Sequence, residues 1–193
     1  MNSRQVRRGS SELFARSVDG LTRARVRPEV HLGDLPAPQR IAPFSTALSA
    51  EVLLPGVEEP PASGRFIVLH DPDAPDVWDG SWRLVTYASA RMEPELAADP
   101  LLGEVGWAWL TDMLDDTPLT YRALGGTVTR VVSESFGTLG DREPTVELEV
   151  RASWTAQGND LGEHLRAWTD VLCTLAGLPP LPEGVTPLPG VRR

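Results

Sequence analysis

Hydrophobic positions along the chain change period several times, and each change predicts an element. Between Ser10 and Arg25, Phe14, Val18 and Leu21 fall at helical spacing, while Arg16 and Arg23 lie opposite them. The prolines at 28, 36, 38 and 43 stop that helix and predict an extended connector. Strands follow at Thr46–Leu54, at the continuous apolar run Phe66–Leu69, and at Trp82–Arg91. In the last, Leu84 and Ala88 face one way and Val85 and Tyr87 the other.

From Leu101 to Asp115 the period returns to that of a helix. Leu102, Val105, Trp109 and Met113 form its main stripe, with Trp107 and Leu114 well round from it. A helix apolar over so much of its girth is either buried on two sides or covered by a partner. Two further strands are predicted, Thr127–Phe136 and Thr145–Thr155. The second alternates strictly, with Val146, Leu148, Val150, Ala152 and Trp154 on one face. A last helix, Asp160–Ala176, starts at a polar cap and ends at Gly177.

The order α-βββ-α-ββ-α, with short turns, predicts an α+β fold: an antiparallel sheet of about five strands with three helices on one face. In element order alone it is similar to the secretion-chaperone-like fold. The chain divides into a basic arm at 1–9, a single domain at 10–177 and a Pro-rich extended tail at 178–193.

Charge narrows the chemistry. All 18 basic residues are Arg, and without Lys the chain has no Schiff-base amine and no phosphate-reaching P-loop lysine. Net charge is −9, divided as +4 over residues 1–40 and −13 over the rest. An acidic body points away from nucleic-acid phosphates, while Arg4, Arg7 and Arg8 could touch an anionic partner or fold back on that body. No apolar segment approaches the ~18 residues of a membrane span. The single Cys173 and the absence of a signal-like apolar stretch predict a reduced, cytoplasmic protein.

Several short stretches occur together: Arg27-Pro28-Glu29-Val30, His70-Asp71-Pro72, Trp78-Asp79-Gly80, Asp99-Pro100-Leu101, Val105-Gly106-Trp107, Gly125-Gly126-Thr127-Val128-Thr129-Arg130, Arg151-Ala152-Ser153-Trp154-Thr155 and Gly177-Leu178-Pro179-Pro180. As a set, spread over nearly the whole chain, they resemble an actinobacterial family designated domain of unknown function 3000. The resemblance implies a cytoplasmic protein of about this length. It supplies no activity, cofactor or catalytic residue to carry over.

Among local features the loop from His70 to Gly80 stands out. His70, Asp71, Asp73, Asp76 and Asp79 could gather a hard divalent cation. The spacing is not that of an EF-hand, and two prolines stiffen the loop. Asp side chains that cap turns are the structural alternative. His70 itself shares the face of Phe66 and Val68, which suits a hydrogen-bonded histidine at the core edge. Cys173 reads as a packed residue, pointing away from His164 on the same helix.

Gly125-Gly126 reads as a turn needing positive φ. Arg130 shares a face with Val128 and Val132; buried there it would need Glu134 or Glu147, and otherwise it is a candidate anion-binding residue. No G-x-S-x-G, H-E-x-x-H, C-x-x-C or G-x-G-x-x-G motif is present. Trp78, Trp107 and Leu114 are the candidate partner-binding residues. The sequence therefore points to a non-catalytic, chaperone-like module with no cofactor, binding a protein partner or a second copy of itself. The alternative is a metal- or small-ligand-binding protein, or metal-assisted hydrolase, built on loop 70–80.

Overall fold

The computed structural model describes residues 3–180, with side chains from Gly9 onward. The elements run α1 (Ser3–Arg23), β1 (Val30–Leu35), β2 (Phe44–Val52), β3 (Ala62–His70), β4 (Trp82–Met92), α2 (Leu102–Asp115), β5 (Tyr121–Ser133), β6 (Thr145–Ala156) and α3 (Leu161–Leu175). All strands join one antiparallel sheet in the order β1-β2-β3-β4-β6-β5. The class is α+β, with six strands where the sequence suggested five.

The added strand is β1, which lies in the segment read as a connector. Residues 29–35 contain no proline, and an edge strand needs a neighbour on one side only, here β2. α1 begins at Ser3, so residues 3–9 extend that helix by its backbone. Most of the Pro-rich tail lies outside the described residues.

All three helices cover one face of the sheet. Even-numbered residues of β6, the predicted apolar set, are buried there with Phe66, Val68 and Leu84. α3 lies between α1 and α2 and supplies Leu165, Trp168 and Leu172 to this core. Asp160 caps it, accepting from the backbone N–H of Gly162 at 3.2 Å.

Glycine sets the closest approaches. A Cβ on Gly162 would sit 3.0 Å from the Gly20 carbonyl, where α1 crosses α3. One on Gly64 would lie 2.7 Å from the Trp168 ring, which rests on β3.

α2 packs against both α3 and the β5–β6 part of the sheet. Its buried stripe is Leu102, Gly106, Leu110 and Leu114. Of the stripe predicted from spacing, Val105 is exposed and Trp109 and Met113 are half-buried, because the helix is turned so that Gly106 and Leu110 meet the sheet and α3. Leu114, read as a partner-binding residue, is fully enclosed core.

Candidate functional site

Among the described residues no helix covers the opposite face of the sheet, and side chains meet there in rows across the strands. One row is Arg65, Tyr87, Arg151 and Thr127, paired in register from β3 through β4 and β6 to β5. The next holds Ile67, Val85, Ser153 and Gly125. Together they line a groove of about 600 Å³. Gly125 helps to open it, because a Cβ there would meet nothing within 4 Å.

Polar groups around the groove are held in place by one another. Tyr87 donates its phenolic O–H to Glu149 at 2.9 Å, and the Arg151 guanidinium reaches the other oxygen of that carboxylate at 2.6 Å. Arg151 also lies over the Tyr87 ring, 5.0 Å from its centroid. These bonds hold the Glu149 carboxyl below its usual range, the Tyr87 hydrogen bond being the larger cause. Burial is the main reason the Tyr87 hydroxyl moves up.

Below this row Arg83 donates to Ser153 Oγ at 2.6 Å, Thr155 Oγ1 at 3.2 Å and the Ala123 carbonyl at 2.9 Å. Its donors are committed to the scaffold. Arg65 differs: it is exposed and makes no ion pair among the described residues.

The acidic loop closes one end of this face. Thr155 donates its hydroxyl to the Trp78 carbonyl, and Asp79 lies 3.9 Å from Arg122. Residues 76–78 form one 3-10 turn, and Asp71 accepts from the Asp73 N–H at 3.0 Å. These Asp contacts shape the turn. Among the described residues no group of three or more His, Cys, Asp or Glu is placed to hold a metal ion, so the loop's five candidates are not brought together. Asp73, Asp76 and Asp79 are exposed, Asp79 beside Arg122, while His70 is buried under the helix layer.

His70 is buried, as its place beside Phe66 and Val68 predicts. Its Nδ1 pairs with the Ser81 carbonyl at 3.0 Å and must carry the proton, which leaves Nε2 an unpartnered acceptor. The ring stacks on Trp82 at 4.1 Å, and Phe14 and Phe44 close the cluster. Burial lowers its pKa. Cys173 is buried too, and desolvation pushes its thiol up to about 12, where the nucleophilic thiolate is absent at neutral pH.

The remaining candidates fall near β5. Trp107 is half-buried over Gly126, whose Cβ would lie 2.8 Å from its ring and 2.2 Å from the Arg151 carbonyl. Gly126 is therefore required by strand and ring contact, with no positive φ; that conformation belongs to Ala123, at the bulge between Arg122 and Gly125. Arg130 does share the face of Val128, yet it is exposed and donates to the Asp99 backbone carbonyl. At the sheet edge it keeps its hydration, so neither Glu134 nor Glu147 is needed.

The sequence reading missed Arg65, Tyr87 and Arg151 because each lies on a different strand. It also missed Arg27, which is buried and clips α3's exit to β1 by donating to the Pro179 carbonyl at 2.7 Å and to Glu29 at 3.3 Å.

Residues 10–186 match the family model described as "Protein of unknown function (DUF3000)". The chain belongs to the DUF3000 family. No curated protein and no solved structure matches. The matched span takes in every strand and helix from Ser10 onward, so the groove of this DUF3000 member is built wholly from family sequence. Among the described residues no helix is long and apolar enough to cross a membrane.

Proposed function

We propose that this protein is a non-catalytic, chaperone-like module that holds a polypeptide partner against the helix-free face of its sheet. The observation that carries this reading is the groove between Arg65 and Arg151. In a chain of net charge −9, two guanidinium groups flank an apolar floor of Ile67 and Val85. Such a groove suits an acidic side chain beside an apolar one, with Arg65 free to take the carboxylate.

Among the described residues lining the groove, the Tyr87 hydroxyl is tied to Glu149. Ser153 has Arg83 as its hydrogen-bond partner and no adjacent base, and His70 and His164 belong to the other face.

The partner reading first centred on α2 and Trp78 moves accordingly. α2 already has internal partners, whereas Trp78 is anchored by its backbone at the end of the same open face. A native pull-down read by mass spectrometry tests the reading. A stoichiometric partner kept by the wild-type chain should be lost with Arg65→Glu and retained with Leu101→Ala. Retention by Arg65→Glu with loss on Trp107→Ala would return the interface to α2.

A further inference from the structure

The two edges of the sheet are unlike. β1 is six residues long, and Pro36 and Pro38 follow it closely. A short edge closed by prolines resists pairing. β5 has thirteen residues with no proline, lysine or acid among them, and among the described residues no strand lies on its outer side. Val131 and Val132 are 38% and 43% exposed, and Phe136 just beyond is 77% exposed. Such an edge is a template for a further strand.

We propose that a second copy of this chain pairs antiparallel with β5 about a two-fold axis at Val131, joining the two sheets into one. The position of α2 selects this register. Tyr121 bonds Asp115, Trp107 covers Gly126, and Arg130 reaches the Asp99 carbonyl just before α2, so the helix lies along residues 121–130 of β5. α2 is seated between β5 and β6, where a Cβ on Gly106 would meet both Leu148 and Val128, and its Trp107 ring reaches out over Gly126. With strands about 4.8 Å apart, an axis inside that span would set two such helices roughly 10 Å apart, at the limit of close helix packing and with both Trp107 rings in the gap. An axis at Val131 places the helices end to end instead.

Charge and shape agree with it. Arg130 stands opposite the second copy's Val132 and diagonal to its Glu134, and symmetry repeats the contact. Glu134 is exposed and makes no ion pair among the described residues. Gly126 falls opposite Phe136, which is already extended at φ −132° and ψ 164°. The bare glycine leaves the Trp107 ring reachable, and the second copy's phenyl group covers both.

Light scattering on the full chain should give a dimer. Arg130→Glu or Glu134→Arg should weaken it roughly tenfold or more, and the double variant should recover it, since each reversed charge meets its reversed counterpart. Val131→Cys should cross-link to itself under mild oxidation, because directly opposed strand residues lie about 4.5–5.5 Å apart at Cα. Thr127→Cys, far from the axis, should not. A monomeric wild-type chain, or a dimer that gives no cross-link at Val131→Cys, would overturn the inference.

Discussion

The Trp154 indole N–H donates to Nδ1 of His164 at 3.2 Å, and both side chains are buried. The bond requires a neutral imidazole with Nδ1 as acceptor. Burial holds the His164 pKa down, at about 4 against an ordinary 6.5. The unfolded chain therefore binds a proton that the folded chain refuses between those values. Stability is full above pH 6.5 and falls as pH drops toward 4, with about 3 kcal/mol at stake. His70, lowered for the same reason, adds in the same direction. Thermal melts across this range should show the loss, and His164→Gln, which keeps an acceptor for Trp154, should flatten it.

Gly125 and Gly126 are adjacent yet differ in what they can accept. A Cβ on Gly126 meets the Arg151 carbonyl at 2.2 Å, while one on Gly125 meets nothing. Gly126→Ala should destabilise by about 1–3 kcal/mol or more, because strand β5 must move away from β6. Gly125→Ala should be neutral or slightly stabilising. Urea midpoints of the two variants decide it; equal values would contradict this account.

Leu114→Ala should cost about 2–5 kcal/mol as a cavity in the α2 core. Leu101→Ala, at the exposed residue just before the same helix, should stay within about 0.5 kcal/mol. Chemical denaturation of both separates a core residue from a surface one.

The cap of α3 offers a smaller effect. Asp160→Ala removes the acceptor for the Gly162 N–H and should cost about 1 kcal/mol, while Asp160→Ser should restore most of it. The readout is the shift in melting temperature at neutral pH. An unchanged Asp160→Ala melt would mean that the helix start is held by packing alone.

Local pattern determined much of this molecule. The alternation of Val146 through Trp154 settled which face of β6 is core, because side chains on a strand have period two and only one face is covered. Helical spacing located α2 and α3 to within a residue or two, and Gly177 marked the stop. β1 escaped notice because prolines around Val30–Leu35 hide a strand whose stability comes from β2. Trp107 and Leu114 looked alike as off-stripe residues, but packing against β5 and α3 left one half-covered and enclosed the other. Arg65, Tyr87 and Arg151 became neighbours only through strand pairing, across gaps of 22 and 64 residues. Periodicity reports which side of an element is wet or dry, since that is set within a few residues. Which elements touch, and hence where a groove or a free edge lies, depends on register and crossings between distant strands, and only the tertiary structure decided those.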